Sequence, residues 1–257
     1  MEASIQERPG CNVQRMESMN AHHNTQGWSH QIAKRKLESF LQQANWGKGH
    51  SANIRKLIQF SLKKDIPLSM VSTDVLDRAM HSSIKKFVRG DYYIPQFVRK
   101  AKTIGDARAM LADHDNTMKS MSKGKFLIST IEGECHSQGK NFVTSLLRGI
   151  GFKTIDLGLG VPVKDIVNAV KWHKPHYIGV SASTLATIPA VKTLNNSLKK
   201  QASLKKTKVI IGGYTAMDES SETIGAEHYC KNITETISLL RSLSSKGDNS
   251  LSDSQPA

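Results

Sequence analysis

Three short clusters of polar and small residues each follow an apolar, β-rich run, and they hold the side chains best suited to chemistry. The first, after Phe126–Ile131, reads Glu132-Gly133-Glu134-Cys135-His136-Ser137-Gln138-Gly139-Lys140-Asn141. A carboxylate two residues before a histidine, with a glycine three residues after it, opens a loop into a helix. Such a loop can project an imidazole beyond a sheet edge with a hydrogen-bond partner alongside, which is what a metal ligand requires. The plainer reading is a solvated loop histidine, and spacing alone leaves both open. The second cluster, Ser181-Ala182-Ser183-Thr184-Leu185-Ala186-Thr187, closes the run Tyr177–Ser181; the third, Gly212-Gly213-Tyr214, follows Val209–Ile211. Small hydroxylated residues and glycines leave room and donors for an extended polar group such as a nucleotide-like tail. Singly, a Ser/Thr run also serves as a helix cap, and Gly-Gly as a tight turn.

These clusters need a frame that ends several strands side by side. From Lys125 onward, short β-rich runs (126–131, 153–157, 177–181, 209–211, 228–230) alternate with helical patterns (140–150, 163–173, 188–200, about 220–224, 233–243). Five strands alternating with five helices specify an α/β protein with a doubly wound parallel sheet, whose ligand site lies at the carboxyl ends of the strands. Before this, residues 28–121 carry apolar positions at helical spacing: Ile32, Leu37, Phe40, Leu41; Ile54, Leu57, Ile58, Phe60, Leu62; Val71 to Val88; and Phe97 to Leu111. They predict a four-helix bundle, broken at Gly47-Lys48-Gly49, Asp65-Ile66-Pro67 and Gly90–Pro95. Residues 1–27 and 244–257 lack apolar periodicity and are expected to be a mobile arm and tail. Thr117–Gly124, polar and Ser/Lys-rich, is expected to be the hinge between a helical unit (28–121) and a sheet unit (122–243).

Composition narrows the class. Of 257 residues, 38% are hydrophobic and 23% charged, which excludes fibrous or wholly disordered chains. Lys and Arg number 36 against 22 acids, a net charge of +14 that attracts anionic partners without naming one. Cys11, Cys135 and Cys230 lie far apart with no CxxC pair, so no disulfide framework or structural zinc site is expected. With no apolar run of about 18 residues and no signal-like N-terminus, a cytoplasmic protein is expected.

Taken together, in this order and spacing, the three clusters resemble the signature of cobalamin-binding domains: Asp-x-His-x-x-Gly, Ser-x-Leu and Gly-Gly. Here these read Glu134–Gly139, Ser181-Ala182-Ser183 and Gly212-Gly213. Gly139–Val143, Gly151–Gly158, Val161-Pro162 and Gly225–Glu227 extend the likeness. The N-terminal half is similar to the helical cap of corrinoid proteins of methyltransferase systems, with Arg89–Pro95 like the motif before the last cap helix.

The resemblance implies a flavodoxin-like, cobalamin-binding Rossmann-like domain. It would hold cobalamin or a related corrinoid base-off, with His136 on cobalt and the detached tail in a slot beside Gly139, Ser181, Ser183, Gly212 and Gly213. Glu134 would bond the far ring nitrogen of His136, with a hydroxyl behind it, assigned by position to Thr187. Tyr92, Tyr93, Ile94 and Phe97 of the cap would cover the upper corrin face. Implied also is a methyl carrier: Co(I) takes a methyl group from a substrate-specific methyltransferase, and methyl-Co(III) presents it to an acceptor methyltransferase. A reductive activation protein would restore the carrier, and motion at the hinge would admit the partners.

This chain departs from the pattern at three places. Glu134 stands for aspartate, Ser183 for leucine and Ser137 for an acidic residue; the extra methylene of Glu134 is expected to loosen its contact with His136. Cys135 is expected to point away from His136. Two other functions fit parts of the sequence. One is a corrinoid- or haem-binding sensor that switches protein or nucleic-acid contacts, which the +14 charge favours, although no helix-turn-helix module precedes the cap. The other is a mutase-type adenosylcobalamin domain, which would need a substrate barrel that this chain lacks.

Overall fold

A computed structural model describes residues 50–115, 122–201, 204, 207–213 and 228–250, with the isolated positions 35 and 39. The N-terminal arm, nearly all of the first bundle helix, most of the expected hinge (117–121), Tyr214, the helix expected near 220–224, Gly225–Glu227 and residues 251–257 lie outside the described residues.

The helical half contains α1 (His50–Lys63), α2 (Leu68–Met70) leading through a π-helical stretch (Val71–Leu76) into α3 (Asp77–Val88), and α4 (Ile94–His114). Pro67 and Pro95 sit at the starts that their fixed φ suits. At the head of α4, the Gln96 side chain accepts the Tyr93 backbone N–H at 2.8 Å.

The sheet half runs β1 (Lys125–Thr130), α5 (Gln138–Ile150), β2 (Lys153–Asp156), α6 (Val163–His173), β3 (Tyr177–Ser181), a 3-10 turn (Leu185–Thr187), α7 (Ile188–Lys199), β4 (Lys208–Gly212), β5 (His228–Cys230) and α8 (Ile233–Ser250). All pairings are parallel, in the order β2-β1-β3-β4-β5. This is the flavodoxin-like order, which reverses between β1 and β3 and so leaves the loops after them facing a common crevice. Helix α8 passes the expected end at Leu243 and reaches Ser250: no proline interrupts the stretch, and propagation adds a backbone bond for each residue fixed.

Both faces of the sheet are covered, as parallel sheets require. Leu127, Ile131, Ile178, Val180, Val209 and Ile211 pack against α6 and α7. The opposite face, with Phe126, Ile128 and Ile210, joins α5, α8 and the helical half in one continuous core.

Helices α4 and α5 lie side by side and point the same way: Phe97 stacks on Phe142 at one end, and Arg108 Nε donates to Gly149 O at the other. Glycines permit the close approach. A Cβ at Gly105 would meet Arg148 Cβ at 2.8 Å, and one at Gly149 would meet Ala101 O at 3.2 Å. Arg108 also donates to Ser72 Oγ and to Asp77. Replacing Arg108 with Met keeps the aliphatic stem but removes three donors, and should lower stability by about 2 kcal/mol in chemical denaturation.

Candidate corrinoid site

The loop after β1 is built to hold one imidazole outward. Gly133 takes φ +85°, and Glu134 N–H closes a turn on Ile131 O at 3.0 Å. Thr130 Oγ1 donates to Glu134 O at 3.2 Å and accepts from Gly160 N at 2.6 Å, tying this loop to the one after β2. Glu134 is buried, whereas the His136 side chain is 69% exposed.

Every lone-pair region of the Glu134 carboxylate is used. Oε1 accepts both the backbone N–H and Nδ1 of His136 at 2.7 Å; Oε2 accepts the backbone N–H and the hydroxyl of Ser183. Burial pushes the pKa of Glu134 up, but the bonds from Ser183 and His136 outweigh it and hold the carboxyl at about 2. An ionised carboxylate has no proton to give, so Nδ1 carries the hydrogen and Nε2 keeps its lone pair for a ligand. The longer side chain therefore does not loosen the contact with His136, contrary to expectation: its extra reach is taken up by Ser183.

A pH dependence follows. A depressed carboxylate stabilises the fold fully above its unfolded value, 4.5, and loses that contribution as pH falls towards about 2. Apoprotein stability should fall across this window, and Glu134→Gln should be weaker at neutral pH but flatter below 4.5, as read by thermal melting.

Thr187 does not supply the hydroxyl behind Glu134. Its Oγ1 donates to Thr184 O at 2.6 Å and the residue is fully enclosed, because the 3-10 turn folds it back on its own loop. Ser183 takes that place, rather than lining the slot. Phe97 is likewise not on a ligand face: it is 0% exposed, held between Phe87 and Phe142. Tyr93 is 77% exposed and Ile94 is 49% exposed, and because α4 and α5 run in parallel, both lie at the His136 end of the molecule. The Cys135 thiol does not point away from His136. Its Sγ is 3.8 Å from Nδ1, so the two side chains leave the loop on the same side. Glu134, Cys135 and His136 thus bring three donor atoms within 4.8 Å of one another.

Beside this loop a cleft of about 220 Å³ opens between α5 and α8 over β1, β3 and β4. Gly139, Ser181, Gly212 and Gly213 line it, together with Cys230 and Thr236. Gly139 leaves open space where a Cβ would stand. Gly213 serves the frame: at φ +138° a Cβ would lie 2.0 Å from Ala182 O. Lys140, which spacing did not single out, is 4% exposed and bonds both oxygens of Asp156 at 2.7 Å, locking the first turn of α5 to the end of β2. The ion pair is not legible in the sequence because a lysine at a helix start ordinarily reads as solvated.

This donor set and cleft suit a corrinoid. An imidazole with a free Nε2 and a carboxylate behind it is the donor chemistry cobalt takes, and the cleft next to it, lined by glycines and Ser181, leaves room for an extended tail.

Comparison with known proteins agrees. Residues 124–236 match the family described as B12 binding domain. The chain is 30% identical over 161 residues to trimethylamine corrinoid protein 1 of Methanosarcina acetivorans, covering 62% of this chain and 74% of that one. It is 28% identical over 196 residues to the dimethylamine corrinoid protein of Methanosarcina barkeri, covering 71% and 92%. Among solved structures, the methanol:cobalamin methyltransferase complex of Methanosarcina barkeri matches with a TM-score of 0.72 at 19% identity, over 83% of this chain and 80% of that one. A cobalamin-binding protein from Desulfitobacterium hafniense DCB-2 matches with a TM-score of 0.58 at 20% identity, over 82% and 98%.

The fold is thus that of the cobalamin-binding, Rossmann-like α/β proteins. Within it, the chain belongs to the corrinoid proteins of methyltransferase systems. Among the described residues no helix is long and apolar enough to cross a membrane.

Proposed function

We propose that the protein is a methyl carrier that binds its corrinoid base-off, with His136 Nε2 as the lower cobalt ligand. The observation that carries this reading is the exposed imidazole at the sheet edge, fixed through Nδ1 by a buried, ionised Glu134 and adjoined by an open cleft. When bound, the corrinoid supplies the cobalt on which a methyl group is carried between a substrate-specific methyltransferase and an acceptor methyltransferase.

The chain's own residues bind, orient and expose. Glu134 fixes the tautomer and ring plane of His136 and makes Nε2 more electron-rich. Ser181, Gly212 and Gly213, with Gly139 opposite, admit the detached tail along the cleft. The described helices α1 to α4 lie beside the sheet half, with Tyr93 and Ile94 at the His136 end, where they would cover a bound corrinoid; partners would enter from that same end. A reductive activation protein would be a further partner, keeping a bound corrinoid competent.

The test is methyl uptake. Protein reconstituted with hydroxocobalamin and reduced is incubated with dimethylamine, trimethylamine or methanol and the methyltransferase specific to each. Uptake that requires one matched substrate and methyltransferase supports the carrier. Light- or ligand-dependent DNA binding without uptake from any of them would replace it with a sensor.

A further inference from the structure

The hydroxyl behind Glu134 comes from a position that the signature gives to leucine. Ser183 donates its side-chain O–H and its backbone N–H to Oε2, while the hydroxyl at the expected position, Thr187, is committed to Thr184 O. Glutamate in place of aspartate and serine in place of leucine are thus two halves of one contact. The extra methylene carries the carboxylate across from the β1 loop to the β3 loop, where Ser183 meets it. The contact spans the point at which the strand order reverses, and it holds the far oxygen so that the near one faces His136.

Building on the carrier reading, we propose that Ser183 is the positioning residue for His136, acting through Glu134, and that Glu134 and Ser183 work as a matched pair. Thr187 serves only its own turn. Because Ser183→Ala spares the backbone N–H, its effect should sit at the low end of those seen when partners behind a metal-bound histidine are removed, about tenfold in affinity.

Two readouts separate this inference from the reading beneath it. In the apoprotein, imidazole nitrogen-15 shifts report which His136 nitrogen bears the proton. Wild type, Ser183→Thr and Thr187→Val should show the Nδ1–H form, and Ser183→Ala, in which the backbone N–H alone holds Oε2 and the carboxylate can turn Oε1 from Nδ1, should lose it in part. With hydroxocobalamin, Ser183→Ala should bind about tenfold more weakly, with a smaller histidine-ligated fraction after reduction to Co(II), whereas Ser183→Thr and Thr187→Val should match wild type. An unchanged tautomer in Ser183→Ala, or an equal loss in Thr187→Val, overturns the assignment. Failure of wild type to bind hydroxocobalamin overturns the carrier reading, while the apoprotein tautomer still decides the role of Ser183.

Discussion

His136→Ala should weaken hydroxocobalamin binding on the order of a hundredfold and abolish the histidine-ligated spectrum, while the apoprotein stays folded. Removing a partner behind a metal-bound imidazole costs about 10- to 100-fold, and removing the imidazole itself should reach at least the top of that range. Stability should fall by about 1.5 kcal/mol, because the side chain is 69% exposed but gives up one hydrogen bond to a buried, ionised carboxylate. The backbone N–H at 136 still serves Glu134, so the loop keeps most of its frame. Equilibrium dialysis with hydroxocobalamin, paired with thermal melting, separates ligand loss from misfolding; equal affinity in wild type and variant would remove cobalt ligation from the site.

The second large effect distinguishes two adjacent glycines. Gly213→Ala should destabilise the fold by about 3 kcal/mol or more, since the new Cβ meets a backbone oxygen at 2.0 Å in a conformation that L side chains rarely adopt. Neither group can yield: Ala182 N–H is bonded to Gly212 O at 2.8 Å, which draws the ends of β3 and β4 together at this spot. Gly212→Ala is the opposite case. Its Cβ finds nothing nearer than Cys230 O at 4.0 Å, so the fold should stay within about 0.5 kcal/mol of wild type while the added methyl narrows the cleft and weakens corrinoid binding. Denaturation midpoints and dialysis on both variants check the contrast; a Gly213→Ala protein as stable as wild type would remove Gly213 from the frame, and a Gly212→Ala protein that binds as wild type would show that the cleft is used differently.

Much of this was legible in the sequence because it depends on local pattern. Apolar runs such as Tyr177–Ser181 mark buried strands by composition, and the Glu-x-His spacing places a carboxylate and an imidazole in one loop whatever the tertiary detail. What was hidden depends on reach and packing. That Glu134 meets Ser183 rather than Thr187 depends on side-chain length and on the turn that folds Thr187 inward. Phe97 reads as well for a ligand face as for core until Phe87 and Phe142 are seen around it. The Cys135 thiol sits beside His136 through a loop conformation that no local pattern fixes, and the Lys140–Asp156 pair joins residues that show no mutual signal along the chain.

In the proposed carrier, a protein imidazole is the lower ligand of cobalt. The most direct measurement of that ligation is the electron paramagnetic resonance spectrum of the Co(II) form, reconstituted with hydroxocobalamin of natural nitrogen, in protein grown with nitrogen-15 histidine. Superhyperfine splitting that changes from triplets to doublets on labelling, and disappears in His136→Ala, is the expected result. Triplets that survive the label would mean that the corrinoid keeps its own base on cobalt, and would contradict the account.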